Sequence, residues 1–121
     1  LIPSNKAQIR EALRLLAPYA GRRIGFLGVT FKAGTDDLRE SPALDIIRLL
    51  EQQGAHVEYH DPHVAEFRED GTVRRSVAFT PEALAAADCV VIVTDHTRMD
   101  YAAVKRHAPV IVDTRHALPK D

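Results

Sequence analysis

The sequence contains a single cysteine, Cys89, so no disulfide framework within the chain is possible and a reducing, cytoplasmic setting is expected. No apolar run approaches the roughly 20 residues of a membrane-spanning helix. The first residues carry no signal-peptide pattern. Charge of one sign is not in excess. Sixteen basic and 17 acidic residues leave a formal net charge of -1, which gives no ground for a nucleic-acid or membrane-surface partner. Any basic site must therefore be local. Internal repeats and low-complexity segments are also missing. The only methionine is Met99 and the chain opens on Leu1, so a piece of a longer protein is expected.

What is present suits one globular domain. The 121 residues are 45% apolar and 27% charged, enough for a single core. Ile9, Ala12, Leu13 and Leu16 recur at three- and four-residue spacing, which predicts a helix from Ser4 to Leu16. Ile24 to Val29 is almost wholly apolar, as in a parallel strand buried on both faces. Ser41 and Pro42 suit the cap and first position of a second helix, which Gly54 ends. Ala55 to His60 alternates like a half-exposed strand. The polar stretch from His63 to Arg75 reads as a loop or a short helix, and Ser76 to Phe79 as a brief strand. Thr80-Pro81-Glu82 opens a small helix. Cys89 to Val93 is a second apolar strand, Asp100 or Tyr101 to His107 a short helix, and Val110 to Val112 the last strand. Strands alternating with helices predict a three-layer α/β, Rossmann-like domain with a mostly parallel sheet, preceded by one helix.

In such folds ligands bind at the carboxyl ends of the strands. There the sequence lacks a further feature. The G-x-G-x-x-G fingerprint that brings backbone close to a pyrophosphate is absent, and Gly25 and Gly28 are spaced wrongly for it. Instead, the segment after the first strand carries Lys32, Asp36, Asp37 and Arg39, and Arg115 follows the last strand. Lysine meets phosphate as a point charge, whereas arginine binds oxyanions with two parallel bonds. Each of these cations is also suited to pairing with Asp36, Asp37 or Asp113 on the surface. No metal site is expected, since His56 and His60 lie about 13 Å apart along a strand. Asp95-His96 reads as a turn rather than a catalytic pair. Cys89, on an apolar strand, reads as an inert core thiol.

The segment GVTFKAGTDDLRESPALDIIRLLEQQGAHVEYHDP, with VVIVTDHTRMDY and VIVDTRHAL following in order, resembles the C-terminal domain of the UDP-glucose/GDP-mannose dehydrogenase family. The resemblance runs from about Gly21 to Leu118. It implies residues 21–121 as a nucleotide-sugar-binding C-terminal domain and residues 1–20 as a linking helix from a central region. It further implies an NAD-dependent enzyme that oxidises the C6 hydroxyl of a nucleotide sugar to a carboxylate in two steps. NAD would be held mainly by an N-terminal domain, and the full protein would be a homodimer.

By position, Phe31, Lys32 and Arg115 resemble the family's substrate contacts, and Arg39 resembles an arginine that reaches NAD. No catalytic residue is implied within the chain, because Cys89 does not match the catalytic cysteine. Thr94-Asp95-His96 differs from the T-E-W of glucose-specific members. With Asp100-Tyr101 it resembles enzymes acting on UDP-N-acetylhexosamines, with UDP-glucose as the next candidate. The isolated chain is expected to be inactive. The competing reading is a stand-alone nucleotide-binding or dimerisation module without catalysis.

Overall fold

The computed structural model describes residues 5–30, 41–69, 71–94 and 99–114. Its elements are α1 (Asn5–Leu16) with a 3-10 turn (Ala17–Tyr19), β1 (Arg23–Leu27), α2 (Pro42–Gln52), β2 (His56–His60), β3 (Glu66–Glu69), β4 (Thr72–Arg75), α3 (Pro81–Ala86), β5 (Cys89–Ile92), α4 (Tyr101–His107) and β6 (Ile111–Asp113). Strands β2-β1-β5-β6 form one parallel sheet, and β3-β4 a separate antiparallel pair. The α/β, mostly parallel architecture expected from the sequence is the one found.

Alternation along the strands divides the core in two. Ile24 and Phe26 of β1, Val57 and Tyr59 of β2, and Cys89 and Val91 of β5 face the layer of α1 and α2. Leu27, Val90 and Ile92 face the other layer, where Leu84 of α3 and Val104 of α4 cover them. The apolar stripe of α1 behaves as its spacing requires: Ala12 and Leu16 are buried, and Ile9 and Leu13 pack against the same cluster. In α2 the Ser41 side chain accepts from the Ala43 N–H, Pro42 holds the first position, and Ala43, Ile46, Ile47 and Leu50 are buried.

Two expectations need correction. Residues 63–75 contain a β-hairpin rather than a loop or short helix, with Phe67 opposite Arg74 and Arg68 opposite Val73. Asp70-Gly71 is a two-residue hairpin signal, and Gly71 has φ +78°. The signal was masked by charge, since each strand offers one large apolar residue. Those charges are paired instead: Arg74 reaches Glu51 of α2 and Glu69, and Arg75 reaches Glu66. Phe67 lies against Tyr59, with ring centroids 5.3 Å apart. The second correction is Ser76 to Phe79, which is not a strand. It runs along the outer edge of β2, where the Val77 N–H donates to the Tyr59 carbonyl at 2.9 Å. A free strand edge is thereby occupied.

Candidate functional site at the carboxyl edge of the sheet

The crossover from β1 to β2 runs through α2 on one face, and that from β5 to β6 through α4 on the other. The connections therefore diverge between β1 and β5, and this is the switch point at which open α/β sheets bind ligands. Here Gly28 leaves β1 with φ +82°. A Cβ at this position would lie 2.5 Å from the Thr94 Cβ, so only glycine fits beside Thr94. On the α3 side, a Cβ at Gly25 would lie 2.9 Å from Cζ of Phe79.

Gly25 and Gly28 are thus both covered by side chains of the domain itself. The described residues here do not fit a dinucleotide pyrophosphate, which needs open backbone.

What the edge does provide is a braced base for the segments that follow it. The Val29 N–H donates to Asp61 Oδ2 at 2.9 Å. The Ser41 hydroxyl donates to the Val29 carbonyl and the Thr94 hydroxyl to the Thr30 carbonyl, each at 2.5 Å. Asp61 Oδ1 also accepts from the His63 N–H at 2.8 Å. Among the described residues, the buried polar side chains are Thr30, Ser41, Asp61 and Thr94, and all four sit at this edge. Buried polar groups of this kind are costly unless bonded, so their joint presence marks an edge whose backbone is held in one geometry. The bond from Ser41 to Val29 also brings together the two ends of segment 31–40.

Two more segments leave from the same edge. Residues 95–98 follow Thr94, whose carbonyl accepts from the Tyr101 hydroxyl at 3.3 Å. Residues 115–121 follow Thr114, whose N–H and hydroxyl both reach the Ile92 carbonyl. The sequence-predicted site residues Phe31, Lys32, Arg39 and Arg115 lie outside the described residues, as do Asp36, Asp37, Asp95 and His96. What is described is where their flanking residues sit: Thr30, Ser41, Thr94 and Thr114 all belong to one edge.

Sequence reasoning did not single out Thr30 or Asp61, and took Thr94 only as part of the Thr94-Asp95-His96 pattern. A signal was available, because each is a small polar residue directly after an apolar or alternating strand.

A cleft of about 430 Å³ opens beside this edge on the α3–α4 face, lined by Leu27, His60, Phe79, Leu84, Met99 and Asp100. His60 Nδ1 is 2.8 Å from the Val77 carbonyl, and its ring lies over Phe79. A smaller cavity of about 100 Å³ lies at the opposite, amino edge, near Arg23, His56 and Glu58. Cys89 is fully buried, and burial first, with Asp88 second, pushes its thiol up to about 11. Such a thiol is a poor nucleophile. Burial likewise pushes the Tyr59 phenol up to about 12, with Asp61 and Glu66 adding to it, and its hydroxyl donates to the Val64 carbonyl. No helix among the described residues is long and apolar enough to cross a membrane.

Residues 25–120 match the family model described as the UDP-glucose/GDP-mannose dehydrogenase family, UDP binding domain. The chain is 36% identical over 107 residues to a UDP-glucose 6-dehydrogenase of Rhizobium meliloti (strain 1021), covering 84% of this chain and 24% of that protein. It is 39% identical over 71 residues to a GDP-mannose 6-dehydrogenase of Azotobacter vinelandii, covering 59% and 16%. Among solved structures it resembles the UDP-N-acetyl-mannosamine dehydrogenase Cap5O from S. aureus, with a TM-score of 0.67, 26% identity and coverage of 97% and 28%. The chain spans less than a third of the length of each of these proteins.

Proposed function

The chain belongs to the UDP-glucose/GDP-mannose dehydrogenase family, and on that premise we propose that it supplies the nucleotide-sugar half of an interdomain active site. The whole enzyme oxidises the sugar C6 hydroxyl to a carboxylate in two NAD-dependent steps. Residues 1–20 are its link to a central helical region, and the complete protein is a homodimer. The observation that carries this reading is the braced edge. Thr30, Ser41, Thr94 and Thr114 fix the ends of the segments bearing the candidate contacts, on the side of the sheet where α/β domains bind ligands.

In this reading Phe31, Lys32 and Arg115 contact the nucleotide sugar, with the two cations on its diphosphate. Arg39 reaches towards NAD held by an N-terminal domain that is not part of this sequence. That division of labour agrees with the covered Gly25 and Gly28, which leave no glycine cradle for NAD among the described residues. The favoured substrate class is UDP-N-acetylhexosamine, on the strength of the Asp95-His96-Thr97 and Asp100-Tyr101 pattern.

Two measurements test this on the full-length protein. With NAD present, UDP-N-acetylglucosamine or UDP-N-acetylmannosamine should give a higher kcat/KM than UDP-glucose or GDP-mannose; a preference for either of the latter overturns the substrate class. Lys32→Ala should raise KM for the nucleotide sugar about tenfold or more, as expected for losing one charge-assisted contact of about 1.5–3 kcal/mol. An unchanged KM removes Lys32 from the site.

A further inference from the structure

Thr94 stands at a junction. Its side chain is 1% exposed and packs against Gly28. Its hydroxyl donates to the carbonyl of Thr30, the residue immediately before Phe31. Its own carbonyl accepts from the Tyr101 hydroxyl at the start of α4. One residue thus ties the base of segment 31–40 to the base of segment 95–98 and to the helix beyond it. These segments are far apart in sequence and leave from different strands, β1 and β5.

We propose that Thr94 is a positioning residue for nucleotide-sugar binding: through its bonds with Thr30 and Tyr101 it holds together the described backbone that precedes Phe31 and flanks residues 95–98. The inference rests on the functional reading above. Its chemistry is specific to a hydroxyl. A valine has nearly the same shape and would keep the packing against Gly28, but it cannot donate to the Thr30 carbonyl, so the bond between the two segments' bases is lost. A serine keeps the donor and gives up a methyl group.

The test uses the full-length enzyme with its preferred nucleotide sugar and NAD, and also UDP alone. Thr94→Val should raise KM and the UDP dissociation constant about tenfold, equivalent to about 1.4 kcal/mol, with kcat at saturating substrate changed by less than about twofold. Thr94→Ser should restore both constants to within about threefold of wild type. Tyr101→Phe should move them in the same direction as Thr94→Val by a smaller factor. The proposal is overturned if Thr94→Val leaves UDP affinity unchanged. It is equally overturned if valine and serine weaken binding alike, or if kcat falls while both constants hold, because those results describe a packing role only. Lys32→Ala in the same assays reports on the functional reading separately, since UDP affinity of the Thr94 variants is read without reference to it.

Discussion

Gly28 and Thr94 are mutually exclusive with any side chain at position 28: a Cβ there would lie 2.5 Å from the Thr94 Cβ. The backbone at Gly28 is also left-handed, at φ +82°. Gly28→Ala therefore combines a conformational cost with a steric one, and nearby backbone offers no easy retreat. The expected loss is about 3 kcal/mol or more, read as a lower urea midpoint with an unchanged slope. A loss under about 1 kcal/mol would contradict the described packing.

Gly25→Ala should be milder. The obstacle is the edge of the Phe79 ring at 2.9 Å, a side chain that can rotate, and no positive φ is involved. A loss of about 1–2 kcal/mol is expected. Adding Phe79→Leu should recover part of it, so that the double variant is more stable than the two single losses would sum to. Simple additivity would show that the ring is not the obstacle.

Asp61 has a different vulnerability. Its two oxygens accept from the N–H groups of Val29 and His63, and its own N–H donates to the Ser76 hydroxyl. Asp61→Ala strands the buried Val29 N–H and removes the acceptor of the half-buried His63 N–H, and should cost about 2–4 kcal/mol. Asp61→Asn keeps one acceptor oxygen but turns an NH2 group towards the other donor, so it should recover only part of the loss. Denaturant unfolding of the three proteins checks the order aspartate, asparagine, alanine.

The folded state holds the Cys89 and Tyr59 protons more tightly than their ordinary values of 9.0 and 10.0, at about 11 and about 12. The unfolded chain releases these protons first as pH rises. Stability from Cys89 is therefore whole below about pH 9 and is lost between there and about 11. That from Tyr59 is lost between about 10 and 12. Unfolding free energy should fall through this alkaline window, with Cys89 contributing on the order of 2 kcal/mol. In Cys89→Ala the fall should begin about one pH unit later. A thiol reagent should also leave native Cys89 unmodified at pH 8 and react after denaturation.

The elements most visible in the sequence were those whose signal is local. Ser41-Pro42 and Thr80-Pro81 announced the starts of α2 and α3 because capping chemistry is carried by adjacent residues. The apolar runs of β1 and β5 announced central strands. The hairpin was hidden because its stability comes from distant partners: Phe67 on Tyr59, and Arg74 on Glu51. The bracing of the site was hidden for the same reason. Asp61-Pro62 reads as a turn, and nothing adjacent reveals that the carboxylate reaches Val29, 32 positions away. Thr94 likewise meets Thr30 across 64 positions. The roles given to Phe31, Lys32, Arg39 and Arg115 came from the family resemblance, and these residues lie outside the described part of the chain.

The burial of Leu16 has a mechanical consequence. This residue of α1 has no exposed surface and shares its cluster with Ile24, Ile47 and Leu50. Burying a leucine of this kind contributes about 1.5–3 kcal/mol, and Ala12 adds to the contact. The helix is thus welded to the sheet through α2 and turns with it as one lever. Any displacement of the sheet therefore carries α1 with it. A substitution that loosens Leu16 would let the helix move independently of the sheet.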